Sequence, residues 1–267
     1  YEVLYLDITL FLSTLKQDDM LVERMEQEII NDLGKVYPEV GKEQHLVDAL
    51  CAFHERTEEK MILIIDEWDA MFRECKGQTH ILDAYILLLR SLFKSSLTDQ
   101  LFSGVYMTGI LPIKKYGHES AVSDFYEYTM VDPCPLQEYI GFTETEVEML
   151  CKKYQKDYAL MQQWYDGYFV GGIHVYNPKS VMESILRNKF SSYWTKTETY
   201  EALRDYIDMN FDGLKDAVID MLGGAVCEVD TGSFQNDMTS MKSKDDVLTL
   251  LIHLGYLAYD EEKPVSY

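Results

Sequence analysis

The apolar positions begin with a short β-rich run, Val3 to Ile8. After the polar Gln17-Asp18-Asp19, Met20, Leu21, Met25, Ile29 and Leu33 recur at helical spacing. This predicts a strand feeding an amphipathic helix. A second helix is predicted from about Glu43 to Glu55. The uninterrupted run MILII, Met61 to Ile65, is bounded by charges and reads as a strand buried on both faces. Ile81 to Phe93 repeats Leu, Ile and Phe at helical spacing, and Leu101 to Thr108 is strand-like again. The order β-α-α-β-α-β predicts an α/β fold with a largely parallel sheet.

The texture changes at Gly141. Thr143-Glu144-Thr145-Glu146 is an S/T-x-x-E capping box ahead of Val147, Met149, Leu150 and Tyr154. In WYDGYFVGGIHVYNPKSV, Gly171-Gly172 between two aromatic, β-branched runs signals a hairpin, and Asn177-Pro178 signals a helix start. Further helices are predicted at Glu198 to Met209, Phe211 to Leu222 and Asp245 to Leu254, with a last short strand in LGYLAYD. The expected organisation is therefore a sheet-based part over 1–140 and a helical part with a small sheet over 141–267.

Composition narrows the function. The 267 residues are 47 % apolar and 26 % charged, as in an ordinary folded protein. The 46 acidic against 24 basic residues give a net charge of -22, which repels phosphate backbones, and neither part is a basic module. Nucleic-acid binding by this chain and attachment to an anionic membrane are not expected. The five cysteines, Cys51, Cys75, Cys134, Cys151 and Cys227, are widely spaced with no C-x-x-C pair, which suits a reduced, cytoplasmic compartment. No apolar run has the length of a membrane span. The opening YEVLYLDITL reads as a strand already in progress, and the expectation is a chain trimmed at both ends.

Candidate chemistry concentrates in MILIIDEWD, Met61 to Asp69, the hhhhDE pattern known as Walker B. A rigid strand would fix Asp66 at the carboxyl edge of a parallel sheet, where a carboxylate can hold Mg²⁺ directly or through water. Glu67 would then be placed to polarise a water attacking a γ-phosphate. The plainer reading of the motif alone is a strand ending in solvated acids, with Asp69 a helix N-cap or surface acid. The companion phosphate loop, G-x-x-x-x-G-K-[ST], is missing: Gly34-Lys35 is followed by Val36 and Gly41-Lys42 by Glu43. His118 and His174 lack ligand partners at zinc spacing, and there is no G-x-S-x-G nucleophile elbow.

Taken in order, LYLDIT, MILIIDEWDAMF, YMTGILPIKKYG with SAVSDFYEYTM, YIGFTETEVEML, WYDGYFVGGIHVYNPKSV, SSYWTKT and LIHLGYLAYD strongly resemble the bacterial AAA-ATPase-like family. Its members are P-loop ATPases usually fused to a C-terminal restriction-endonuclease-like nuclease domain. The resemblance covers essentially the whole chain and places it after the family's phosphate loop and before its nuclease. It implies a P-loop-type sheet lacking its first strand and phosphate loop over 1–140. Over 141–267 the pattern of several helices ending in a small sheet suits a helical lid with an aromatic hairpin and a winged-helix-like module. ATP and Mg²⁺ are the implied cofactors of the longer protein, and a homo-oligomer or the fused nuclease the implied partner. Asp66 takes the Mg²⁺ role and Glu67 that of water activation. Thr108 falls where such ATPases sense the γ-phosphate, or is simply a strand-end threonine. Lys114, beside Lys115, is the candidate phosphate-facing cation, or belongs to a solvated loop pair.

Two further readings stay open. An ATPase-derived scaffold that has lost turnover would serve only regulation or assembly; alternatively Asp66, Glu67 and Asp69 would form a stand-alone carboxylate metal site. Without a phosphate loop, the 267 residues by themselves are not expected to hydrolyse ATP. Trp164, Tyr165, Asp166, Gly167 and Tyr168 with Tyr176, Asn177 and Pro178 could stack on a base or sugar, but packing on a sheet face is the preferred reading, with Asp166 bracing the hairpin or capping a helix.

Overall fold

The computed structural model describes residues 2–75, 77–94, 96–110, 125–193, 211–232, 234, 243–262 and 265–266. The chain forms two compact units, Tyr1–Phe125 and Tyr126–Tyr267, dividing ahead of the change of pattern at Gly141. No helix among the described residues is long and apolar enough to cross a membrane.

The first unit is α/β. Strands β1 (Glu2–Asp7), β2 (Met61–Asp66) and β3 (Phe102–Met107) form a parallel three-stranded sheet in that order. Asp7 ends β1 and starts α1 (Ile8–Thr14), its Oδ1 accepting the Leu10 N–H at 3.1 Å as an N-cap. Then come α2 (Leu21–Val36), α3 (Leu46–Thr57), α4 (Ala70–Glu74), α5 (Thr79–Phe93) and α6 (Thr98–Leu101). α3 starts later than its apolar pattern suggests. The Leu46 N–H at its first turn is satisfied by Glu26 Oε1 of α2 at 3.1 Å, a tertiary cap that no local signal announces.

One hydrophobic core fills this unit. α2 contributes Leu21, Met25, Ile29 and Ile30, α3 Leu46, Leu50 and Phe53, and α5 Ile81, Tyr85 and Leu89. They pack with Met61, Leu63 and Ile65 of β2, which are essentially inaccessible to solvent. Burying each such side chain stabilises the fold by about 2 kcal/mol. The opposite face corrects the expectation that β2 is buried on both sides. Val3, Tyr5 and Tyr106 are more than half exposed, and the register aligns them with half-buried Ile62 and Ile64. MILII is continuously apolar, yet among the described residues the helices cover only one of its faces.

The second unit is built from β4 (Phe142–Thr143), α7 (Glu144–Tyr154), α8 (Tyr158–Tyr165), β5 (Asp166–Val170), β6 (Ile173–Tyr176) and α9 (Pro178–Arg187). It continues with α10 (Leu214–Leu222), β7 (Cys227–Glu228), α11 (Lys244–His253), β8 (Tyr259–Asp260) and β9 (Val265–Ser266). The strands form a sheet in the order β4-β6-β5-β8-β9-β7. Thr143 and Glu146 make the reciprocal capping box, and Asn177 caps α9 with Pro178 in its first turn. Gly171 and Gly172 both adopt positive φ, 58° and 74°, as a two-residue hairpin joining β5 to β6 requires. The helix predicted at Glu198 to Met209 lies outside the described residues.

Candidate active site

The carboxyl ends of β1, β2 and β3 bring together residues that are far apart in the chain. Parallel pairing sets Asp7 beside Asp66. Thr108 follows β3, and its N–H donates to the Ile65 carbonyl at 2.9 Å while its own carbonyl accepts the Trp68 N–H at 2.9 Å. This backbone ladder fixes the threonine opposite the end of β2. Its hydroxyl donates to Asp66 Oδ1, and its Oγ1 lies 3.4 Å from the Glu67 N–H. Tyr5 Oη donates to the other Asp66 oxygen at 2.6 Å. The Thr108 hydroxyl, then the Tyr5 hydroxyl, hold the Asp66 carboxyl below the usual carboxylate range, so it is ionised at neutral pH.

Glu67 sits in the left-handed region at φ 53°, an uncommon conformation for a side chain of its size. Burial pushes its carboxyl upward, and the Arg73 guanidinium opposes that shift. Arg73 Nη2 donates to Glu67 Oε2, and Arg73 Nε donates to Asp69 Oδ2 at 3.0 Å. Asp69 occupies the N-cap position of α4 but makes no side-chain cap bond, and at 1 % exposure it is not the surface acid the sequence suggested. Its Oδ1 instead accepts the Ile110 N–H at 3.2 Å, tying the turn after β2 to the segment after β3. Gly109 permits this closeness: a Cβ there would stand 2.6 Å from both Asp69 Oδ1 and Trp68 Cδ1.

Asp66, Glu67 and Thr108 therefore meet at one sheet edge. Lys114, with Lys115 and His118, lies outside the described residues. Among the described residues no three or more metal-ligating side chains form a group that would hold a metal, and the Arg73 guanidinium lies between Glu67 and Asp69. One or two carboxylates completed by water and phosphate oxygens is the usual Mg²⁺ arrangement in nucleotide enzymes, and an ionised Asp66 with lone pairs beyond its two hydrogen bonds fits it.

Sequence reasoning missed Tyr5, Asp7, Arg73 and Gly109. The spacing of Asp69 and Arg73, one helical turn apart, was a readable signal for the ion pair. The others depend on strand register.

In the second unit the aromatic segment is mainly packing. Tyr165, Tyr168 and Tyr176 are buried, and Tyr168 Oη donates to the Ile252 carbonyl at 2.8 Å, whereas Trp164 is half exposed. Asp166 braces the hairpin, pairing with His174 Nδ1 at 2.9 Å, and burial pushes its carboxyl upward.

No curated protein and no solved structure matches the chain. Residues 1–118, which contain all three strands of the parallel sheet and the acidic cluster at its edge, match the family model of the AAA-ATPase-like proteins, described as a predicted AAA-ATPase.

Proposed function

We propose that this chain supplies the Mg²⁺-binding and water-activating acids of an AAA-type ATP hydrolase, with the phosphate-binding loop contributed by sequence outside these 267 residues. The observation that carries this reading is the convergence of Asp66, Glu67 and Thr108 at the carboxyl edge of a parallel sheet, within the span that matches the AAA-ATPase-like family. Ligands of open α/β sheets bind at that edge.

Two features of the first unit support it. Parallel sheets are ordinarily covered on both faces, yet Val3, Tyr5 and Tyr106 are exposed on one of them. Strand alternation places Asp66 and Thr108 on that same side, and β3 has a free edge among the described residues. A further strand, loop and helix would complete both the sheet and the site.

Bound Mg²⁺ would neutralise charge on the β- and γ-phosphates. Asp66 would hold it, directly or through water. Thr108 orients Asp66 through its hydroxyl hydrogen bond, and Glu67 would accept the proton of the attacking water. Lys114 is proposed as a phosphate contact on its place in the sequence alone. The second unit is read as the helical lid and winged-helix-like module that would move with the cycle. Coupling to a C-terminal nuclease or to a second protomer rests on the family resemblance.

The test is Mg²⁺-dependent ATP hydrolysis by the full-length protein, comparing wild type with Glu67→Gln. Hydrolysis should fall by about a hundredfold or more while ATP still binds. If neither protein binds or hydrolyses ATP, the chain is an ATPase-derived scaffold for regulation or assembly.

A further inference from the structure

We infer that Arg73 is the positioning residue for Glu67, holding its carboxylate at the sheet edge through a fork anchored on the buried Asp69. The inference rests on the function proposed above and deepens it.

The anchor is rigid. Asp69 is almost wholly inaccessible and is held on one oxygen by the Ile110 N–H and on the other by Arg73 Nε. A guanidinium is planar, so fixing Nε fixes where its Nη atoms point. Nη2 points at Glu67 Oε2. The chain of contacts runs from the end of β3, through Ile110 and Asp69, to Arg73 and then Glu67. The same β3 end carries Thr108, so the metal-side carboxylate and the water-side carboxylate are referred to one strand terminus.

Arg73 engages Oε2, and among the described residues no side chain or backbone N–H bonds Glu67 Oε1, so one carboxylate oxygen remains to meet a water while the other is held. Asp66, Glu67 and Asp69 lie within four residues, and Arg73 is the cation set between the last two. Removing it would leave Glu67 repelled by its neighbours and free to swing away from the edge. A general base displaced by an ångström loses much of its effect.

The experiment uses the full-length protein, with kcat and KM for Mg·ATP and a separate nucleotide-binding measurement. Arg73→Gln should lower kcat by about tenfold or more, with nucleotide affinity within about twofold of wild type. Arg73→Lys keeps the charge but not the fork and should recover part of that loss. In a Glu67→Gln background, Arg73→Gln should cost little further, because residues acting as a unit are non-additive.

An unchanged kcat in Arg73→Gln overturns the inference. So does a loss matched in nucleotide affinity, a loss undiminished in the Glu67→Gln background, or no recovery in Arg73→Lys. Should Arg73→Gln fail to fold, a wild-type kcat in Arg73→Lys overturns it equally. Absence of hydrolysis in wild type is a separate result: it rejects the proposed function and removes the inference with it.

Discussion

Thr108 donates its hydroxyl hydrogen bond to Asp66 across the β2–β3 pair, while its backbone N–H bonds the carbonyl of Ile65, the residue before that aspartate. One residue thus both registers the strand ends and holds the carboxylate. It joins the acidic motif to a threonine whose place in the sequence left two readings open, a γ-phosphate sensor or a strand-end residue.

Replacing Thr108 by valine keeps the shape and removes the hydroxyl. The loss of a hydrogen bond to a charged group should cost about 1–2 kcal/mol of stability, read as a shift of the urea midpoint at neutral pH. The sign of the pH effect is fixed by Asp66. Its folded-state value is depressed, so its contribution is present above the unfolded carboxylate value and is lost as pH falls through the folded value. In Thr108→Val that window narrows. The acid unfolding midpoint should move to higher pH, and an unmoved midpoint would show that the hydroxyl does not hold the carboxylate.

Gly109→Ala tests the close packing behind the site. The added Cβ meets Asp69 Oδ1 and the Trp68 ring, and both partners are buried. Overpacking of this kind costs about 1–3 kcal/mol. Thermal unfolding should show the loss, and tryptophan fluorescence should report the displaced Trp68 ring. A variant as stable as wild type would mean that the segment after β3 shifts without cost.

Alkaline conditions should destabilise the second unit. Burial pushes the Tyr176 hydroxyl up to about 12, and burial also raises Tyr158 and Tyr168. In the unfolded chain tyrosines ionise near about 10. Between those values the folded state keeps a proton that the unfolded state releases, so stability falls as pH rises. Denaturant midpoints taken from pH 9 upward should decline from about 10, and Tyr176→Phe should flatten the decline. Ionisation of all tyrosines near the unfolded value, followed by tyrosinate absorbance in the native protein, would contradict the packing.

Local rules, written into short stretches of sequence, determined most of the elements by themselves. The period of Leu21, Met25 and Ile29 placed α2, and the Thr143 box and the Asn177-Pro178 pair placed the starts of α7 and α9. Gly171-Gly172 placed the hairpin turn. The acids at the end of β2 were legible because a strand that stops in charge marks a sheet edge. Register and solvent exposure are not local, and the tertiary structure decided them. It set Tyr5, Asp7 and Thr108 around Asp66, because parallel pairing matches residues through a shared hydrogen-bond ladder and not through nearness in the chain. It buried Asp69, which as a lone acid reads as a surface residue, because Arg73 and the Ile110 N–H together satisfy it. It also left one side of MILII open, since a run of apolar residues shows what a strand is able to bury, while only the packing of the helices fixes which of its faces is covered.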